Sequence, residues 1–174
     1  MKSNLRVGVI GAGFWARYQI AAWQNLGVEV SAITNRTVSR AEALAAKLKI
    51  PNVSPTAEAL VARKDVDIVD IITAERSHHP LTLTAARAGK HVICQKPMAS
   101  SMRECNEMVD VCRQAGVRIL IHDNWKWQTP IRSFLNWYRE HPVGRVVRAR
   151  FSYLSSFPVF EMQPALAEAP RFIL

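Results

Sequence analysis

Residues 5–16 read LRVGVIGAGFWA, an apolar run that stops at Gly11-Ala12-Gly13-Phe14-Trp15-Ala16. The pattern is G-x-G-x-x-A, and it constrains the fold more than any other stretch. An apolar run of this length reads as a buried strand. From Phe14 onward the apolar positions change period, with Ala16, Ile20 and Trp23 spaced four and three apart as on one face of a helix. A strand that turns on glycine into a helix, with a second strand at Val28–Thr34, is a strand–helix–strand unit. In that setting each small residue has a task. Gly11 allows the tight turn, Gly13 lets backbone N–H groups approach a pyrophosphate at the positive end of the helix, and Ala16 lets helix and strand pack closely. Phe14 and Trp15, at the variable positions of the turn, complete the candidate cofactor cradle.

Further along, short Val/Ile-rich runs alternate with helical patterns. Ser39-Arg-Ala-Glu42 has the form of a capping box, followed by an apolar stripe at Ala41, Leu44, Ala45 and Leu48 and a stop at Pro51. A short helix is predicted over 56–62, a strand over 67–73, a helix over 78–88, a strand over 91–95, and a strand over 118–122. Ser101-Met-Arg-Glu104 opens another helix with a second capping box. Such alternation predicts an α/β fold, a Rossmann-type doubly wound parallel sheet with helices on both faces. The pattern breaks near Asp123. A helix is predicted over 130–140, a turn at Pro142 and Gly144, and a long alternating strand over 145–155. The stretch 157–174 holds Pro158, Pro164 and Pro170 and has no clear period. The domains read as 1–123, a dinucleotide-binding unit, and 124–174, the truncated start of an α+β second domain.

Composition removes several classes. The chain has 174 residues and is 49% hydrophobic, enough apolar content for a packed core. No apolar run reaches the ~20 residues of a membrane span, and no signal-peptide pattern precedes the first strand, which leads to an expectation of a cytoplasmic protein. The three cysteines, Cys94, Cys105 and Cys112, lack metal-site spacing and read as small buried hydrophobes; no metal is expected. The net charge of +9 is spread along the chain without a basic block, so nucleic acid is not an expected partner.

A carboxylate is expected about 20 residues past the glycine turn, where it would bind the ribose hydroxyls of NAD. Here Asn35 stands 22 residues after Gly13, and Arg36 follows it. Loss of the carboxylate removes repulsion against a 2′-phosphate, and an adjacent Arg can bond to that phosphate. NADP is therefore expected in preference to NAD. The other reading has Arg36 solvated and Asn35 on the ribose hydroxyls.

The glycine turn, Thr73-Ala-Glu-Arg-Ser-His78, and the run Gly89-Lys-His-Val-Ile-Cys-Gln95-Lys96-Pro97 together resemble the Gfo/Idh/MocA oxidoreductases, the glucose-fructose oxidoreductase and inositol dehydrogenase group. The resemblance covers residues 5 to about 155. It implies hydride transfer between a nicotinamide and a carbinol carbon of a sugar, cyclitol or related small molecule, in a protein that forms homo-oligomers. It also implies that Lys96, buried beside the nicotinamide, orients the alcohol or helps to remove its proton. Pro97 would fix that turn, with the Lys96–Pro97 bond a candidate for the cis form. Thr73 and His78 fall on the loop after the predicted strand 67–73, where a helix cap or a ribose contact suits His78 better than catalysis. Gln95 departs from the Glu common in the family. An amide cannot be a general base, yet it can orient a neighbour or bind ribose. Asn124 lies in NWKWQTP, which resembles the segment that joins the two family domains and borders the nicotinamide. Trp125 and Trp127 there read as packing residues, with stacking on a sugar as the other use.

Family members carry a catalytic His in a G-x-H-x-x-D context, and no such pattern occurs here. The resemblance thus implies an N-terminal cofactor-binding portion, inactive by itself. The alternative is a non-catalytic NAD(P)-binding module with a structural or sensing role.

Overall fold

The apolar run after Leu5 forms β1 (Arg6–Ile10), and the later Val/Ile-rich runs line up beside it in the same direction. In this computed structural model residues 5–141, 143–148, 150 and 152 are described, and the chain divides into two compact units, 1–124 and 125–174.

The first unit is a six-stranded sheet in the order β3-β2-β1-β4-β5-β6, with every neighbouring pair parallel. The strands are β2 (Glu29–Thr34), β3 (Asn52–Val53), β4 (Ile68–Ile71), β5 (His91–Gln95) and β6 (Ile119–His122). The chain winds outward from β1 to β3, then crosses to β4 on the other side of β1. The direction of winding therefore reverses between β1 and β4, and the crevice beyond their carboxyl ends is where such sheets bind ligands.

Five helices cover the two faces: α1 (Ala16–Asn25), α2 (Val38–Leu48), α3 (Ala57–Val61), α4 (His78–Arg87) and α5 (Met102–Gln114). Side chains alternate across each strand, so two cores form. Val7, Val9 and Val30 pack with Ala16 and Ile20 of α1 and Ala41 of α2. Val69, Ile71 and Val92 pack with Leu60 of α3, Leu83 of α4 and Met108 of α5. Each fully buried Ile, Val or Leu contributes roughly 1.5–3 kcal/mol. Gly8 is part of this packing, since a Cβ there would lie 2.8 Å from Leu60 Cδ2 and 2.9 Å from Val66 Cγ1.

Three sequence expectations change. The strand β3 was not expected, because two residues after Pro51 carry no alternation to read; it exists by pairing with β2 at Ala32 and Ile33. The helix α2 begins at Val38 with Thr37 as its cap residue and no side-chain cap bond. Ser39 is thus inside the first turn, too late to cap it. At the second box Ser101 does cap its helix, with Glu104 N–H donating to Ser101 Oγ at 3.3 Å.

In the second unit α6 spans Thr129–Glu140, one residue longer than the expected 130–140, with Pro130 in its first turn. Ile131, Phe134 and Leu135 on it are 37%, 53% and 40% exposed. The strand expected over 145–155 is absent at residues 145–148, 150 and 152. A strand is made by its ladder partner, and none pairs with these residues among those described. The remainder of that stretch and the tail 157–174 lie outside the described residues.

Candidate functional site

At the carboxyl end of β1 the glycines divide their labour. Gly11 has φ +118°, and a Cβ there would sit 2.2 Å from Ile72 O, so only glycine fits between β1 and the chain leaving β4. Its N–H donates to Thr34 O at 2.8 Å, tying the turn to β2. Gly13 has no such reason, for nothing lies within 4 Å of its Cβ position. The space it leaves is open. The helix behind it, α1, has neither a side-chain cap nor an acidic residue in its first turn. An open glycine beside a helix N-terminus that no side chain caps is the geometry that receives a pyrophosphate, so these residues fit the dinucleotide that the sequence implies. Phe14 is half-buried and Trp15 exposed, their rings edge to face at 5.5 Å.

Asn35 is committed to the same turn. Its Oδ1 accepts the Ala12 N–H at 3.1 Å, and its Nδ2 donates to Thr37 O at 3.0 Å. Arg36 beside it is exposed.

At the carboxyl end of β5, Lys96 is exposed, where the resemblance implied burial beside the nicotinamide: it sits on the turn past the last strand residue. The Lys96–Pro97 peptide is cis. His78 is buried, with Nδ1 2.8 Å from Pro97 O and Nε2 3.1 Å from Thr73 O. Neither ring nitrogen is free for a ribose, and the side chain instead ties the loop after β4 to the loop after β5. Thr73 is half-buried, and its Oγ1 accepts the Ser77 hydroxyl at 2.9 Å. Asn124 is exposed at the end of the first unit; Trp125 and Trp127 in the second are 43% and 61% exposed, and the Arg132 guanidinium lies 5.4 Å from the centre of the Trp127 ring.

Between these two strand ends lies a polar cluster that sequence reading passed over. Asp70 on β4 is fully buried. Gln19 Nε2 donates to both its oxygens at 2.8 Å, and Trp23 Nε1 donates to Oδ2 at 2.8 Å. Burial pushes the Asp70 carboxyl up to about 6, against the opposing pull of the bonds from Trp23 and Gln19. Gln95 Nε2 lies 2.9 Å from Gln19 Oε1, and His122 Nδ1 lies 2.9 Å from the same oxygen. Gln95 Oε1 accepts the Lys96 backbone N–H at 3.1 Å. Burial holds His122 below the ordinary histidine range. The one signal in the sequence was an acid inside an apolar strand, Ile68-Val-Asp-Ile71.

Other members of the diagnostic run serve the fold. Lys90 Nζ donates to Arg63 O and Val66 O, each at 2.8 Å, and His91 Nδ1 accepts the Arg118 N–H at 3.0 Å. Burial pushes the Cys94 thiol up to about 12, which leaves it unreactive. Among the described residues no group of three or more His, Cys, Asp or Glu could hold a metal ion. No described helix is long and apolar enough to cross a membrane.

A doubly wound parallel sheet with an open glycine turn at its switch point defines a dinucleotide-binding Rossmann unit. Residues 5–122 match the family described as "Oxidoreductase family, NAD-binding Rossmann fold", Gfo/Idh/MocA. The chain belongs to this family. It is 36% identical over 173 residues to a D-apiose dehydrogenase of Rhizobium rhizogenes, covering 99% of this chain and 50% of that protein. A 1,5-anhydro-D-fructose reductase of Ensifer adhaerens is 34% identical, over 88% of this chain and 46% of its own length. Among solved structures, an oxidoreductase from Agrobacterium radiobacter in complex with NAD+, L-tartaric acid and magnesium superposes with TM-score 0.90 at 36% identity. That match covers 95% of this chain and 48% of the other. The chain thus spans about half the length of the relatives it matches.

Proposed function

We propose that this chain is the cofactor-binding part of an oxidoreductase that prefers NADP to NAD and acts on a carbinol carbon of a sugar, cyclitol or related polyol. The observation that carries the reading is Gly13: a glycine that the chain's own packing does not require, open beside an uncapped helix N-terminus. The preference for NADP is supported by Arg36 and Arg40, both exposed, and by a first turn of α2 without an acid. Substrate class is supported by the relatives, a D-apiose dehydrogenase and a 1,5-anhydro-D-fructose reductase. Residues 124–174 belong, in this reading, to the part of the protein that shapes the substrate site and the homo-oligomer. Three free cysteines suit a reducing cytoplasm.

A bound nicotinamide would supply the hydride acceptor or donor. The glycine turn would hold the pyrophosphate on backbone N–H groups, with Asn35 keeping that turn in shape. Thr73, Gln95, Pro97 and Asn124 would border the nicotinamide ribose, with His78 fixing the loops behind them. Lys96, at the end of β5, would hydrogen-bond the carbinol oxygen and share in moving its proton.

The test is a side-by-side titration with NADPH and NADH, following nicotinamide fluorescence. Both bind, NADPH about tenfold tighter, as one charge-assisted contact of about 1.5 kcal/mol provides. Equal affinities or tighter NADH overturn the NADP preference, and absence of binding overturns the reading as a whole. In a full-length protein that carries this chain, Lys96→Ala keeps cofactor binding and abolishes turnover of sugar or polyol substrates; intact turnover removes Lys96 from the chemistry.

A further inference from the structure

The cluster around Asp70 has a direction. An ionised carboxylate only accepts hydrogen bonds. Gln19 Nε2 faces both Asp70 oxygens at 2.8 Å, so the Gln19 amide is fixed with its nitrogen inward and its oxygen toward β5 and β6. That oxygen has two lone pairs and two neighbours at 2.9 Å, Gln95 Nε2 and His122 Nδ1. It is satisfied when both donate, which fixes the Nδ1–H tautomer of His122 and the orientation of Gln95. The 3.1 Å approach of Gln95 Nε2 to His122 Nδ1 is then that of two donors sharing one acceptor. With its nitrogen committed inward, Gln95 turns its oxygen outward, and the Lys96 N–H donates to it at 3.1 Å. Every donor in the series points toward Asp70: Lys96 N–H to Gln95, Gln95 to Gln19, Gln19 to Asp70.

A Glu at position 95 would break this series. It would set a carboxylate oxygen 2.9 Å from Gln19 Oε1, two acceptors face to face, with Gln19 unable to turn over because Asp70 requires its nitrogen. We infer that Asp70 is a positioning residue for Lys96, acting through Gln19 and Gln95, and that the amide at position 95 is the partner this buried carboxylate demands. The departure from the Glu-Lys-Pro pattern is then compensated by Asp70, 25 residues earlier in the chain. Asp70 itself is fully buried behind Gln19 and Trp23 and acts only by setting the polarity of the amides in front of it. The inference rests on the proposed role of Lys96 for its functional meaning, but the coupling itself does not.

The experiment reverses the polarity. Asp70→Asn can donate to Gln19, turning that amide over so that its nitrogen faces β5, where Gln95→Glu supplies an acceptor. The readout is the Lys96 backbone amide of the 174-residue chain by NMR, with the Ala12 amide, bonded to Asn35 on the far side of the site, as the marker of an intact fold. Each single variant shifts the Lys96 resonance and speeds its hydrogen exchange about fivefold, the factor set by one hydrogen bond of about 1 kcal/mol. The double variant returns both to the wild-type values while Ala12 stays unmoved. An unmoved Lys96 amide in the single variants overturns the inference, as does a double variant whose effects merely add. Should Asp70→Asn fail to fold, Gln95→Glu decides alone: a Lys96 amide that keeps its wild-type shift and exchange rate overturns the inference, and one that changes supports it. In turnover assays of a full-length protein that carries this chain, Asp70→Asn lowers kcat at constant cofactor KM, Gln95→Glu lowers kcat, and the double variant restores it. If Lys96→Ala leaves turnover intact, the chemical role of Lys96 fails, while the amide resonance still decides the coupling.

Discussion

The two halves of the site are built in opposite ways. At the end of β1 the ligand-facing surface is made of backbone and of side chains that are missing, at Gly11 and Gly13. At the ends of β4, β5 and β6 it rests on side chains in series, from Asp70 through Gln19 to Gln95 and His122. The first half is proposed to receive a group every dinucleotide has, for which a turn of fixed shape suffices. The second half holds the segment that carries Lys96, for whose proposed role a displacement of an ångström would matter. Rigid backbone tolerates little change at one end. At the other, a hydrogen-bonded series tolerates any change that keeps its direction.

The contrast can be broken by substitution. The largest effect is expected from Gly11→Ala, whose new Cβ would lie 2.2 Å from Ile72 O at φ +118°. Strain and overpacking together cost roughly 3–5 kcal/mol, read as a fall in unfolding free energy in urea. A loss below about 1 kcal/mol would show the turn to be more pliant than its geometry implies.

Next comes the pH dependence of Asp70. Its folded-state value of about 6 lies above its unfolded one. The stability this gives is complete below about pH 4 and is lost as pH rises through about 6, a change on the order of 3 kcal/mol. His122, held low by burial, has the opposite sign and loses stability as pH falls. Comparing denaturation of His122→Gln with that of the Asp70→Asn/His122→Gln double variant across this range isolates the Asp70 part, since neither protein carries His122. A constant difference between the two proteins would mean that Asp70 titrates as it does when unfolded.

Gly13→Val sharpens the contrast from the other side. With nothing within 4 Å of the Cβ position, stability should stay within about 1 kcal/mol of wild type. NADPH affinity should fall about tenfold or more, at 1.4 kcal/mol per decade, because the side chain occupies the pyrophosphate approach. Unchanged affinity would move the pyrophosphate elsewhere. The smallest effect is expected at a position remote from both halves: Ser101→Ala removes the cap of α5 and lowers thermal stability by about 1 kcal/mol, leaving cofactor affinity unchanged.

The glycine half was legible because its information is local. Strand, turn and helix occupy residues 6–25 without interruption, and conformations that only glycine reaches mark themselves in sequence. The same locality made α5 and its Ser101 cap readable, and it misled at α2, where a box of the right spacing starts at Ser39, two residues past the cap position. The strand β3 escaped because its two residues become a strand only by pairing with β2.

What the sequence by itself determined is the order of strands and helices, the glycine turn, and the position of Lys96 at a strand end. What only the tertiary structure decided is the partnership of Gln19, Asp70, Gln95 and His122, whose contacting pairs lie 27 to 103 residues apart. The reason is physical. Helical and strand patterns are set by neighbours along the chain, whereas the direction of a hydrogen-bonded amide is set by whatever acceptor the fold brings against it, here a carboxylate from the next strand.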